Sequence, residues 1–260
     1  MNRKFYWATL ALSLATSAVH ADSFDNGGFE GGNANGWVTG AGYRGNTLNA
    51  SLSAEQFLPG GSLYAGPSTR SSVISAGTID PIIGANLGST VYAGNYSYRV
   101  EDTRTGGYGS VVSQSVKNYT DSDIFFTWKA VLENGGHADN ESAALFITLR
   151  DDTTGIQLVN RLYNAGDGGG GVDARFDSLG NYFYTPLWQA EQLRIDANLA
   201  GHDFTLSVAA ADCYFTGHTG YAYVDGFGGV APIPEPTTYG MMLAGLGLLG
   251  FMARRRNKQA

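Results

Sequence analysis

Ile124-Phe125-Phe126-Thr127-Trp128-Lys129-Ala130-Val131-Leu132 is the stretch whose reading decides the fold. It concentrates aromatic and β-branched residues, contains no glycine or proline, and is closed downstream by the turn signal Asn134-Gly135-Gly136. Those features predict a long strand. Upstream, Tyr96-Ser97-Tyr98-Arg99-Val100 alternates and Val111-Val112-Ser113-Gln114-Ser115-Val116 follows a glycine turn, so three antiparallel strands are the economical reading. Downstream, Ala143 to Leu149 and Ile156 to Leu162 flank Thr153-Thr154-Gly155, the pattern of a hairpin. Leu193 to Asp196, Phe204 to Val208 and Tyr221 to Asp225 supply closing strands.

From Tyr43 to Leu87 there is no sustained period, which predicts short strands and long loops. No long helix and no internal repeat is legible. Many short strands separated by turn signals predict an all-β protein, a single jelly-roll β-sandwich over residues 22–230. The composition agrees: 43% hydrophobic and 15% charged, with 37 glycines, 15 tyrosines and 13 phenylalanines.

The two ends read differently. Arg3 and Lys4 precede an apolar run from Phe5 to Ala18, and Val19-His20-Ala21 offers compact residues at a cleavage site. Residues 1–21 therefore read as a secretory signal peptide. At the other end Pro234-Glu235-Pro236 is followed by the uncharged run Tyr239 to Ala253 and then by Arg254-Arg255-Arg256. As a helix that run would reach only about 22 Å, short of the roughly 20 residues of a permanent span. It reads as a transient inner-membrane anchor whose arginines stay in the cytoplasm.

Loss of both ends lowers the basic count from 16 to 10 against 23 acidic residues, a net charge of about −13. Such a surface repels phosphate backbones, so nucleic acid is excluded as a partner class. Cys213 is the only cysteine and cannot close an internal disulfide; a buried free thiol is expected.

The tripeptide, spacer, glycine-rich apolar run and arginine cluster of residues 231–260 resemble the sorting signal of PEP-CTERM proteins. That resemblance implies export in a Gram-negative bacterium, processing by an exosortase near Pro234, Glu235 and Pro236 with Arg254, Arg255 and Arg256 as the retention cluster, and delivery to the cell surface or an exopolysaccharide matrix of the biofilm type. A second resemblance lies at the start of the mature chain. Asn26-Gly27-Gly28-Phe29-Glu30, followed closely by Gly36-Trp37, is similar to the opening strand of carbohydrate-binding, galactose-binding-like jelly rolls. There Phe29 and Trp37 would plug one end of the sandwich. In such modules an acidic residue on the first strand and an aspartate on the last often hold a structural calcium, which implies Glu30 and Asp225 as ligands completed by carbonyls or water.

The stretch Ala211-Asp212-Cys213-Tyr214-Phe215-Thr216-Gly217-His218 to Asp225 is similar to a closing motif of exported bacterial β-sandwiches, with Thr216 where a second glycine is usual. Cys213 and His218 lack the paired ligand spacing of zinc sites and read as structural. Gly166 to Asp173 formally fits a dinucleotide fingerprint, but without a βαβ unit it reads as a loop. Asp151-Asp152 reads as turn chemistry. No Gly-x-Ser-x-Gly elbow or His-Glu-x-x-His helix occurs, so no catalytic residue is assigned. Tyr43, Tyr64, Tyr108, Tyr182, Tyr184 and Trp188 are candidate sugar-stacking rings.

The expected protein is therefore a non-enzymatic, exported, structural or glycan-binding domain. A secreted polysaccharide hydrolase and a subunit of a surface filament or adhesin are the alternatives. The mature surface protein is expected to have lost Tyr239 to Ala253 when its mass is measured; retention of that run would contradict processing at the tripeptide.

Overall fold

The structure, a computed structural model, describes residues 24–228. The expected signal peptide and the sorting segment, with Pro234, Glu235, Pro236, the apolar run and Arg254 to Arg256, lie outside the described residues. Among the described residues no helix is long and apolar enough to cross a membrane.

The strands are β1 (Val38–Tyr43), β2 (Ser72–Ser75), β3 (Tyr96–Val100), β4 (Tyr108–Val116), β5 (Asp123–Glu133), β6 (Ala144–Asp151), β7 (Ile156–Asn164), β8 (Asp177–Leu179), β9 (Tyr182–Tyr184), β10 (Gln189–Arg194), β11 (Phe204–Ala211) and β12 (Gly220–Gly228). One sheet runs β1-β4-β11-β6-β7. The other runs β2-β3-β12-β5-β9-β8, with β10 also on β5. Pairing is antiparallel throughout. This is the expected all-β, two-sheet sandwich.

The stretch 124–132 earns its length as β5. Ile124, Phe126, Trp128, Ala130 and Leu132 alternate into the core between the sheets. One edge of β5 takes β12, while the other is shared by β10 on its first half and β9 at Val131 to Glu133. Trp128 is fully buried, stacked on Tyr163 at 5.0 Å with the Arg175 guanidinium 5.2 Å from its ring centre. At the opposite end of the core Phe29 stacks on Trp37 at 5.2 Å and on Tyr98 at 5.1 Å, the plug expected of these residues.

Both outward sheet faces are covered. Leu52, Ala54 and Phe57 lie on Val111, Phe146 and Ala209 of the five-stranded sheet. A side chain at Gly40 or Gly42 of β1 would overlap the carbonyls of Phe57 and Leu63, so these two positions let that covering segment approach the strand. On the other sheet Ile83 and Leu87 lie over Val131, Tyr184, Tyr221 and Tyr223. There the Lys129 ammonium donates to the carbonyls of Leu87 and Pro186, and burial lowers its pKa to about 8.

Four details differ from expectation. Residues 96–100, 111–116 and 124–132 are strands but do not form one run: β3 and β5 flank β12, whereas β4 belongs to the facing sheet. Strands whose neighbours in sequence lie across the core bury apolar side chains against both layers. Residues 26–32 form turns rather than a first strand, with Asn26 and Phe29 left-handed at φ 51° and 57°. The strand placed at Leu193 to Asp196 lies earlier, at Gln189–Arg194. Strands β1, β8 and β9 carry too little apolar alternation to be read.

The β6–β7 hairpin forms through the predicted turn, where Gly155 is left-handed at φ 74°. Asp151 accepts hydrogen bonds from the Thr153 and Thr154 amides, the Thr154 hydroxyl and His202 Nδ1. Burial alone would raise its pKa, but the bonds from Thr154, His202 and Thr153 hold it below the ordinary carboxylate value. A depressed folded pKa contributes stability above the unfolded value that is lost as pH falls through the folded one. Asp151→Ala is therefore expected to cost about 1–2 kcal/mol at neutral pH, with the difference from wild type shrinking in acid urea melts; a pH-independent penalty would contradict this.

Candidate functional site

Strand β12 and its two flanking loops position most of the chemistry. Ala222 and Val224 point into the core, whereas Tyr221 and Tyr223 point to the opposite face. There the Tyr221 hydroxyl donates to Asp80 at 2.9 Å and the Tyr223 hydroxyl at 2.8 Å. Asp80 also accepts from the Ile82 and Ile83 amides at 2.9 and 2.6 Å, so one buried carboxylate ties the covering loop to the strand. Burial, reinforced by the charge of Asp80, pushes both tyrosine pKa values above the ordinary phenol range.

At the far end of the strand lie Asp225 and, near it, Glu30 of the opening turns. Asp225 is fully buried and accepts from the amides of Tyr92 at 2.8 Å, Ala93 at 3.1 Å and Gly226 at 2.6 Å. Glu30 accepts from the next amides of the same loop, Asn95 at 3.0 Å and Tyr96 at 3.1 Å. A Cβ on Gly28 would stand 3.6 Å from Asp225 Oδ1 and 3.9 Å from Glu30 Oε1, so both carboxylates border one glycine. No ion pair joins either to a lysine or arginine among the described residues. Burial pushes Asp225 up to about 7 against its three amide donors, and Glu30 adds to the rise. Among the described residues both carboxylates are met by backbone amides rather than by a cationic side chain.

The candidate rings separate into buried and outward ones. Tyr184 is buried, and Tyr64 and Tyr182 are partly so. Trp188 packs edge-on to Tyr92 at 5.8 Å and donates its indole N–H to the Ser89 carbonyl. Tyr43 and Tyr108 are the outward pair, 50% and 39% exposed, directly opposite in the β1–β4 ladder and edge-to-face at 5.8 Å. Arg70 lies 5.0 Å from the Tyr108 ring centre. That guanidinium is itself fixed beneath the surface by Glu101, by Asp102 at 3.3 Å and by Asp212 at 3.2 Å.

Cys213 is buried, as expected, and lies beside His218. The sequence reading missed a third member, His137, which follows Asn134-Gly135-Gly136 and meets His218 across the loops. The usable signal was scarcity: the chain has four histidines, of which His20 lies outside the described residues and His202 bonds Asp151. Gly166 to Asp173 forms the expected loop, containing one short 3-10 turn at Asp167–Gly169.

Residues 232–256 match the model of the PEP-CTERM protein-sorting motif. No curated protein matches the sequence. Among solved structures, the fold is similar to TmCBM61, determined in complex with β-1,4-galactotriose, at 12% identity and a TM-score of 0.42, covering 80% of this chain and 96% of that one. It is similar to CBM28, a carbohydrate-binding module specific for non-crystalline cellulose, at 11% identity and TM-score 0.38, covering 77% and 91%. It is also similar to the CBM22-1 xylan-binding domain of Paenibacillus barcinonensis Xyn10C, at 14% identity and TM-score 0.29, covering 77% and 88%. These likenesses describe the sandwich and carry no ligand over to this chain.

Removing Asp80 would strand two buried hydroxyls. Asp80→Ala is expected to lower unfolding free energy by about 2–4 kcal/mol, against about 1 kcal/mol for Tyr223→Phe. Equal losses in urea melts would contradict the shared-acceptor role.

Proposed function

With a sorting motif that implies export and exosortase handling as the premise, we propose that this chain is a surface or matrix protein of a Gram-negative envelope whose sandwich contacts exopolysaccharide. The observation that carries the reading is the Tyr43–Tyr108 pair. Sugar rings present apolar C–H faces that stack on aromatic planes while nearby polar groups fix orientation. Most of the chain's aromatic surface is sealed in the core or under the covering loops. Two half-exposed tyrosines side by side in one ladder, backed by a held arginine, stand apart from it, whereas the equally exposed Phe215 lies on the loop before β12 against His137.

Calcium belongs to the same proposal as a structural ion. Glu30 and Asp225 would suit a hard cation: both carboxylates border Gly28, neither has a basic partner among the described residues, and Asp225 bears the penalty of burial. They would supply two carboxylates of the six to eight oxygens calcium needs, with carbonyls and water providing the rest. Bound there, the ion would neutralise the pair and tie the opening turn to the last strand.

Two measurements test the proposal. Retention on the producer's own exopolysaccharide in affinity electrophoresis is expected, with Tyr43→Ala/Tyr108→Ala weakening it at least tenfold, about 1.4 kcal/mol; no retention across a polysaccharide panel, or an unaffected double variant, contradicts it. Calcium is expected to raise the melting temperature, with the rise abolished by EDTA and by Glu30→Gln. A melt insensitive to both calcium and EDTA, with no calorimetric heat, contradicts the ion site.

A further inference from the structure

The loops at the other end of β12 bring three metal-binding side chains to one point. His137 Nε2 lies 3.2 Å from His218 Nδ1, and Cys213 Sγ lies 3.3 Å from the same nitrogen. All three ligand atoms fall within 4.8 Å of one another. We propose that His137, Cys213 and His218 form a transition-metal site, a thiolate with two imidazoles, that takes zinc or another late first-row ion.

The three atoms are close enough for one ion to reach them all. A tetrahedral centre with bonds of about 2.1 Å to nitrogen and 2.3 Å to sulfur has ligand–ligand edges of about 3.4–3.6 Å; the two contacts at His218 Nδ1 fall just below that range and the third pair lies within 4.8 Å, so small side-chain rotations would admit the ion. Hydrogen bonding alone serves the cluster badly. His218 Nδ1 faces two partners with either one proton or one lone pair, so it satisfies one and leaves the other facing it unpaired. A single cation satisfies all three. The donor set also chooses the metal: one soft thiolate and two imidazoles suit zinc, copper or cobalt and disfavour the oxygen-seeking calcium and magnesium. The ion would therefore be distinct from any held by Glu30 and Asp225.

The surrounding chain is shaped to hold these groups. Cys213 and His218 close one turn, with the Cys213 amide donating to the His218 carbonyl at 2.9 Å and Thr216 left-handed at φ 68°. Gly135 must lack a side chain because a Cβ there would overlap the His218 ring. His137 is held by its carbonyl, which accepts from the Asp167 amide at 2.8 Å, and by its ring, which packs on Phe215 at 4.5 Å.

Arg44 is fully buried, and its guanidinium donates to the carbonyls of Thr47, Ser142 and Asp212 and to Asn49 Oδ1 rather than to a carboxylate. The guanidinium thereby fixes the backbone of Asp212, the residue before Cys213, and with it the start of the Cys213–His218 turn.

The site is closed on one side and open on the other. Cys213 is buried, whereas His137 and His218 are half-buried. His218 lines a polar cleft of about 360 Å³ together with Asn134, Gly135, Gly136, Asp167 and Asn181. Three protein ligands would leave a fourth position for water or a small ligand.

The test uses the full chain, stripped of metal with a chelator and titrated with cobalt(II) and then zinc(II). One equivalent of cobalt is expected to give a thiolate-to-metal charge-transfer band that zinc abolishes. Cys213→Ser is expected to lose the band. His137→Gln, on a half-buried loop, is expected to weaken zinc binding at least tenfold in competition with a chromophoric chelator, while the metal-free melting temperature stays at the wild-type value. Should Cys213→Ser fail to fold, His137→Gln and His218→Gln alone decide the matter. An intense visible band with copper(II) that disappears in the same variants would support the ligand set with copper as occupant. Absence of a thiolate–cobalt band, or zinc affinity unchanged by His137→Gln, would overturn the proposal.

Discussion

The alternation of β12 is the constraint on which the rest of the structure depends. Side chains on a strand point to opposite faces in turn, and here each face has a different task. Ala222 and Val224 close the core, while Tyr221 and Tyr223 reach Asp80 and lock the covering loop in place. A slip of one residue would drive two tyrosine hydroxyls into the core and expose alanine and valine to a buried carboxylate. The register is therefore set from both sides, and with it the positions of everything attached to the strand's ends.

That attachment explains where functional groups occur. Because covering segments pack on the outward faces of both sheets, the polar clusters lie at the rims and ends of the sandwich. Asp225 and Glu30 lie at one end of β12, Cys213 and His218 stand before its other end, and Tyr43 and Tyr108 lie on the edge ladder of the facing sheet. A chain with few charges and a single cysteine relies on packing rather than on internal disulfides for its stability.

Much of the fold was legible because the inner strands obey simple patterns. Residues 124–132, 143–149 and 156–162 are apolar runs or a hairpin with its turn, and all appear as strands. Strand β1 was not legible because Gly40 and Gly42 stand where apolar side chains would announce a strand, and the reason is a covering loop placed there by tertiary contact. The meander expected of residues 96–132 failed because local pattern reports that a segment is a strand, not which sheet it joins. Glu30 and Asp225 were singled out only through a resemblance, since they stand at opposite ends of the domain in sequence. His137 was not, since it meets His218 across 81 residues and carries no spacing motif of its own.

The claim that the loops around β12 are built to gather ligands is most directly tested by anomalous diffraction from crystals of the zinc-loaded protein, measured on both sides of the zinc edge. A single strong peak within bonding distance of Cys213 Sγ, His137 Nε2 and His218 Nδ1, with a further ligand, is the predicted result. Zinc found only on surface carboxylates, with the three side chains still in mutual contact and no density between them, would contradict it.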